Sequence, residues 1–376
     1  MMRYCTKCVQ PDTRPGIVFN EQGVCPACTF MEQAPAVDWE QRRRELEAIA
    51  EYGRSHSSHG YDCLVGVSGG KDSTRQAMYV RDELNLNPLL VNCGYPPEQL
   101  VDRGAENIAN LVELGFDMIS YCPAPQTWKR LQWEGLQRYG NFLKSSEMAL
   151  YASAPRVSLA YQIPLVFLGE NPAVTVGELC IGTTDGNANM VKNGNTIAGG
   201  PDTVMPPDMP VNKTILYRFP SDEETENSLM RIVYLGYYIE DFGKVKNAEF
   251  SMAHGMKVRT DPPEDIGDIT GHEALDEDFV IVNQMFKYIK LGFGKVVDQV
   301  SEEVRRGTMT RDEAVRLARL YDGKCARRYV DSFCRYFKIS HEEFDSIVER
   351  FRNRDIWKKK NGQWCLAVDF DNTPII

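Results

Sequence analysis

Two runs of this sequence hold residues whose types and spacing suit chemistry. The first is Ser68-Gly69-Gly70-Lys71-Asp72-Ser73, which follows the apolar run Asp62-Cys63-Leu64-Val65-Gly66-Val67 and leads into a helical stretch over 74–84. Glycines at 69 and 70 let the backbone approach an anion without Cβ clashes. The amides that open the following helix point at that anion. Lys71 adds a positive charge, and Ser68 and Ser73 add hydroxyls. A carboxylate at Asp72 makes sense beside a phosphate if it holds Mg²⁺. The run is not a Walker A loop: Gly66 and Gly70 enclose three residues rather than four, and Asp72 stands where Ser or Thr should follow the lysine. It therefore predicts a different cleavage of ATP. The β and γ phosphates sit on Ser68 to Ser73, the α phosphorus is open to attack, and the products are an adenylate and pyrophosphate. Lys71 and Asp72 are the candidate catalytic residues within this ATP-binding set.

The second run is Cys5-Thr6-Lys7-Cys8, then sixteen residues, then Cys25-Pro26-Ala27-Cys28. Thiolate pairs on two tight turns form a tetrahedral zinc site of the ribbon type. Turn residues between the pairs flank a short expected strand, Ile17-Val18-Phe19. Four thiolates close the coordination shell, so Cys5, Cys8, Cys25 and Cys28 predict a structural Zn²⁺, with an iron–sulfur cluster as the lesser alternative. A segment this small has almost no core without metal. His56 and His59, in a serine-rich stretch, read as solvated rather than ligating.

Composition bounds the rest. The chain has 376 residues, 43% of them hydrophobic, with a net charge of −10. Its 16 Phe, 17 Tyr and 5 Trp supply ample core, which excludes dominant disorder. The acidic balance counts against a simple electrostatic nucleic-acid binder. No apolar run approaches the roughly 18 residues that span a bilayer, and Met1 to Cys5 lacks a secretory apolar stretch. With 11 cysteines, an odd number and four of them in the first 28 residues, a reducing cytoplasm with a local metal site fits better than a disulfide framework.

These motifs need a scaffold. Strands expected at 62–67, 88–93, 118–121 and 163–168 alternate with helical stretches, which predicts a doubly wound parallel α/β sheet with ligands at the carboxyl ends of its strands. A further strand is expected at 233–239. Residues 173–210, rich in Gly, Asn, Asp, Thr and Pro, read as a long loop or lid. Capping boxes open helices at Ser221, Thr310 and Ser340. The domains expected are a zinc ribbon at 1–37, the nucleotide domain at 38–245 and a mainly helical region at 246–376. The fourth strand, placed beside the first, ends in Gly169-Glu170-Asn171. Glu170 is a candidate to bind Mg²⁺ or orient a nucleophile, and Asn171 to contact phosphate or substrate. Lys295 and Asp298, after Leu291-Gly292-Phe293-Gly294, either face substrate or belong to a helix break.

Ser68 to Ser73 resembles the signature of the PP-loop (HUP-like) ATP pyrophosphatases. The rest of the chain resembles the N-acetyl sugar amidotransferases of surface-polysaccharide biosynthesis. The resemblance runs from about residue 4 to 357, through Asp12-Thr13-Arg14-Pro15-Gly16, Gly169-Glu170-Asn171-Pro172, Tyr234-Leu235-Gly236-Tyr237-Tyr238, Gly292-Phe293-Gly294-Lys295 and Phe351-Arg352-Asn353-Arg354-Asp355-Ile356-Trp357. It implies that ATP activates the carbonyl oxygen of a sugar N-acetyl group as an O-adenylyl imidate. Ammonia then attacks, AMP leaves, and an acetamidino group results. No Gly-x-Cys-x-Gly elbow occurs, so this chain reads as a synthetase subunit. The resemblance implies a separate glutaminase with a barrel-like companion as ammonia source and an acetamido sugar (nucleotide-linked or a nonulosonic acid) as substrate; the acidic balance and the short apolar runs predict no nucleic-acid or membrane partner. The alternative is a PP-loop thiolation enzyme acting on tRNA or a small molecule, for which Cys93, Cys122 and Cys180 would have to converge.

Overall fold

The computed structural model describes residues 2–33, 37–58, 60–169, 185–194 and 196–375. After α1 (Pro26–Gln33) and α2 (Trp39–His56), the chain alternates strands with helices. These are β1 (Cys63–Val67), α3 (Lys71–Asp82), β2 (Pro88–Cys93), α4 (Asp102–Glu113), β3 (Met118–Tyr121), α5 (Pro125–Tyr139), α6 (Lys144–Tyr161), β4 (Leu165–Leu168) and β5 (Arg231–Tyr234). The five strands form one sheet, ordered β3-β2-β1-β4-β5, with every pairing parallel. Cys63, Val65 and Val67 pack on one face against α2, α3 and α4, while Leu64 packs on the other against α6. That double burial explains why the strands read as apolar runs. The strand order reverses between β1 and β4, so their carboxyl ends open a crevice at the switch point.

The later chain is mainly helical: α7 (Lys244–Ala253), α8 (Phe279–Leu291), α9 (Lys295–Arg306), α10 (Arg311–Tyr321), α11 (Arg327–Phe337) and α12 (His341–Phe351), then the antiparallel pair β6 (Trp357–Lys360) and β7 (Gln363–Leu366). α7 belongs to the sheet domain's core, with Phe250 packed beside α3. Thr310 and Ser221 form reciprocal capping boxes with Glu313 and Glu224, and Ser340 accepts from the Glu343 amide. Among the described residues no helix is long and apolar enough to cross a membrane.

Three details differ from the sequence expectations. Residues 17–19 form no strand; Val18 is exposed, and the chain there is organised by Asn20 Oδ1, which accepts from the Gln22 and Val24 amides. β5 stops at Tyr234, and Leu235–Tyr237 is a 3-10 turn, because Arg42 lies over the Tyr237 ring and donates to its carbonyl at 2.6 Å. The described part of 173–210 is packed rather than a loose lid. Ile197, Val204 and Met209 are buried beside Trp128 and Tyr217, and the Ala188 amide bonds the Ile232 carbonyl at 2.9 Å.

The N-terminal segment packs on the distant C-terminal helices. Met2, Tyr4 and Val9 share a core with Phe293, Val296, Trp357 and Phe370. The Tyr4 backbone makes two hydrogen bonds with the Asn372 side chain, at 2.6 and 3.0 Å.

Candidate functional site

At the end of β1 the chain turns through Gly69 at φ +73° and enters α3 at Gly70. Gly70 has no side chain to cap the helix, so the first-turn amides are left for a ligand. Ser73 ties the loop together, its Oγ accepting from the Ser68 amide at 3.3 Å and donating to the Gly70 carbonyl at 3.1 Å. A Cβ at Gly69 would lie 2.9 Å from the Asn107 carbonyl carbon. Asn107 is fixed by two bonds to the Lys257 backbone, at 2.9 and 2.7 Å. Gly69→Ala therefore combines a left-handed alanine with a backbone clash, and is expected to cost about 1–3 kcal/mol in urea denaturation.

The cavity above the loop is lined by Ser68, Gly70, Lys71, Asp72 and Ser73 from the loop, and by Tyr151, Ser153 and Ala154 of α6. Gly169 and the segment 272–275 also line it. The loop set thus lies together at the carboxyl ends of β1 and β4. A Cβ at Gly169 would sit 3.4 Å from the Asp72 Cβ. Glu170 and Asn171, the next two residues, lie outside the described residues, as do His59 and Cys180.

Lys71 is buried, its Nζ 2.8 Å from Asp72 Oδ2 and 3.6 Å from Glu273 Oε1. Burial pulls its pKa down, but Asp72 and Glu273 outweigh that and hold the ammonium above its usual range. Asp72 Oδ1 accepts from Asn247 Nδ2 at 2.7 Å. The Asp72 side chain remains 41% exposed, and its oxygens keep second lone pairs, so it fits a divalent ion shared with phosphates. Ser251 Oγ of α7 donates to the Lys71 carbonyl at 2.7 Å.

Glu273 gathers three lysines: Lys71, Lys244 at 3.1 Å and Lys295 at 3.1 Å. Burial opposes its charge, but Lys295, Lys244 and Lys71 prevail and hold the carboxyl well below its usual range. Lys295 also lies 3.7 Å from Asp268, and Lys244 3.1 Å from Glu302. This buried ion network joins the loop to α7 and α9. Glu273→Gln leaves three lysines short of a charge, and breaking a buried pair costs about 3 kcal/mol or more at neutral pH. The folded-state pKa is depressed, so this stabilisation is present above the ordinary value of 4.5 and is lost as pH falls through the folded value. Urea titrations against pH should show the wild-type acid loss flattened in Glu273→Gln.

Lys295 therefore reaches the site through Glu273. Asp298 does not line this cavity; it bonds Arg14 and Lys287. Burial raises its pKa, and Arg14 and Lys287 more than reverse that. Gly292 and Gly294 make the break between α8 and α9, with Asp322 accepting from the Gly294 amide at 2.7 Å. The sequence reading missed His272, Glu273, Lys244 and Asn247. The signal available was one polar stretch, Asp268 to Asp278, holding a histidine among acids in a region read as helical.

The four N-terminal sulfurs are buried and all lie within 4.8 Å of one another, with Cys8–Cys25 at 3.8 Å and Cys5–Cys28 at 4.0 Å. Zn–S bonds of about 2.3 Å at tetrahedral angles place sulfurs about 3.8 Å apart, so the set can hold a structural metal such as zinc. The Cys25 amide donates to Cys5 Sγ at 3.2 Å, and the Gln10 amide to Cys8 Sγ at 3.4 Å. Neighbouring thiols, Cys25 foremost, pull Cys5 far below the usual thiol range. The cluster packs against Val304 of α9, and Arg311 Nε donates to the Cys8 carbonyl at 3.1 Å. Elsewhere Cys93 is buried, which pushes its thiol up, and Cys122 is exposed.

Residues 268–369 match the family described as "LPS biosynthesis protein WbpG-like, C-terminal domain". The match includes His272, Glu273 and Lys295, and supports a role in LPS or surface-glycan biosynthesis. The "Uncharacterized protein MJ1599" of Methanocaldococcus jannaschii is 31% identical over 88 residues. That alignment covers 23% of this chain and 31% of the archaeal protein, so the chain spans about a third of that relative's length.

Proposed function

We propose that this chain is the synthetase subunit of an ATP-dependent amidotransferase that converts a sugar N-acetyl group to an acetamidino group in LPS or O-antigen biosynthesis. The observation that carries the proposal is the loop: glycines, a helix start, buried Lys71 and half-buried Asp72 converge at the β1/β4 switch point. The match of 268–369 to an LPS biosynthesis family supports the sugar substrate.

The chemistry follows from charge. An amide oxygen is a poor leaving group, and adenylation makes it a good one. The loop amides and Lys71 would hold the β and γ phosphates, leaving the α phosphorus open to the acetamido oxygen. Lys71 then neutralises charge on departing pyrophosphate. Asp72 would hold Mg²⁺, which supplies further neutralisation of the phosphates. Glu170 is assigned to bind Mg²⁺ or orient the incoming nucleophile and Asn171 to contact phosphate or substrate, while Lys295 stands behind Glu273. Ammonia is assigned to a separate glutaminase with a barrel-like companion, and the setting to the cytoplasm. Burial raises the pKa of Cys93, which counts against Cys93 itself as the accessible thiolate that the thiolation alternative needs.

The test uses purified protein, Mg-ATP, ammonium and a panel of acetamido sugars. The expected products are AMP, pyrophosphate and a sugar in which one oxygen has become NH. Sulfur incorporation with a sulfur donor, and none of nitrogen, would favour thiolation.

A further inference from the structure

Behind Asp72 stands a relay of side chains whose hydrogen bonds can run in one direction only. Asn247 of α7 is fully buried. Its Nδ2 donates to Asp72 Oδ1 at 2.7 Å, and its Oδ1 accepts from Arg75 Nη1 at 2.8 Å. An ionised carboxylate only accepts, and a guanidinium only donates. The carboxamide between them therefore has one orientation, oxygen toward Arg75 and nitrogen toward Asp72. The flipped amide would set donor against donor and acceptor against acceptor. Arg75 is itself held in place. Its Nη1 also donates to the Asp241 carbonyl at 2.9 Å, and its Nη2 pairs with the Asp241 carboxylate. Its guanidinium lies 5.7 and 5.8 Å from the ring centres of Phe242 and Phe250. At the other end of the relay, Asp72 is half-buried and lines the loop cavity. Lys71 Nζ donates to its Oδ2 at 2.8 Å. Each carboxylate oxygen thus has one fixed donor and lone-pair capacity to spare. Two donors on two oxygens set the plane of the group, which one donor alone would leave free to turn about Cβ–Cγ.

We propose that Asn247 is a positioning residue: its amide, oriented by Arg75, holds the Asp72 carboxylate ready for Mg²⁺. This rests on the assignment of Asp72 to Mg²⁺ above. A hydrogen bond to a metal-binding carboxylate fixes its direction before the ion arrives, and losing such a bond costs about 10–100-fold in metal affinity or activity. α7 thereby serves the loop twice, through Asn247 on the Asp72 side chain and, one turn later, through Ser251 on the Lys71 carbonyl.

The test compares wild type, Asp72→Asn, Asn247→Ala and Arg75→Met. The probe is Mn²⁺, titrated into protein saturated with an ATP analogue whose α,β bridge is a methylene, and followed by electron spin resonance. Melting curves and pyrophosphate release against Mg²⁺ concentration are measured in parallel. Asn247→Ala should weaken Mn²⁺ binding about tenfold and raise the Mg²⁺ needed for half-maximal pyrophosphate release by a similar factor. The rate at saturating Mg²⁺ should fall less. Arg75→Met keeps the amide but removes the donor that orients it, so it should weaken Mn²⁺ binding in the same direction and by less. An Asn247→Ala protein that melts lower but binds Mn²⁺ as wild type does would make Asn247 a packing residue and overturn the proposal. Should Asn247→Ala fail to fold, wild-type Mn²⁺ affinity in Arg75→Met overturns it instead. Equal Mn²⁺ binding by wild type and Asp72→Asn would remove the metal assignment of Asp72 itself, and the positioning role with it.

Discussion

Lys71→Met is expected to reduce pyrophosphate release about a thousandfold while leaving the protein folded. The size follows from what the lysine does: a buried ammonium at the start of α3 is the loop's own full positive charge for phosphate. Preservation of the fold follows from the network. Without Lys71, Glu273 still pairs with Lys244 and Lys295, each at 3.1 Å. Asp72 loses one partner but keeps Asn247 at 2.7 Å and access to water. Methionine matches the aliphatic stem and fills its space. The check is paired: pyrophosphate release on one side, the melting midpoint on the other. A midpoint that falls as steeply as the rate would mean that Lys71 serves the fold and not the phosphates.

Cys25→Ser is expected to remove one bound zinc per chain and lower the melting midpoint by about 10 °C, which corresponds to a loss of several kcal/mol in a chain of this size. The four sulfurs are the core of their own small module, accompanied by Val24 and Ala27 and by the partly buried Ile17 and Phe19. That module leans on α9 through Val304 and on α10 through Arg311. Losing it strips cover from helices whose other faces build the C-terminal core. The ribbon does not line the loop cavity, so activity measured well below the midpoint should fall less than the stability does. Metal content by emission spectroscopy and the melting curve decide the matter. Full stability without metal would show that the cysteines pack as ordinary apolar residues.

The sheet was legible because β1, β2 and β4 are buried on both faces, so their sequences are mainly apolar runs, while the half-buried edge strand β3 was marked by its place between helices. The loop was legible for a different reason: only glycine at 69 tolerates both the left-handed φ and the approach of Asn107. The cysteine spacing announced its own geometry. Tertiary packing decided what those local signals left open. The 17–19 run looks like a strand in isolation but has no pairing partner among the described residues. Val233 to Ile239 looks like a strand too, yet beyond Tyr234 the chain turns aside and Tyr237 meets Arg42 on α2. Asn189 and its neighbours read as loose loop, but Asn189 Oδ1 accepts from the Ile232 amide at 3.2 Å and fixes the chain to β5.

The site's second half was hidden for a related reason. Glu273 and His272 carry no periodic pattern, and nothing near them in sequence predicts three lysines drawn from positions 71, 244 and 295. Their role depends on a long-range approach of the C-terminal region to the loop. Gly104 shows how close that approach is: a Cβ there would lie 2.6 Å from the Asp276 Cα. Lys295 was found in the sequence for its place after a Gly-x-Gly break, and it reaches the loop only by way of Glu273.

The proposed reaction cuts ATP at the α phosphorus to activate an acetamido oxygen. The most direct measurement follows a heavy-oxygen label placed on the carbonyl of the sugar's acetamido group through a single turnover with Mg-ATP and ammonium. The label is expected in AMP, mole for mole with pyrophosphate and the acetamidino sugar. Release of ADP and phosphate, or label retained in the sugar product, would contradict it.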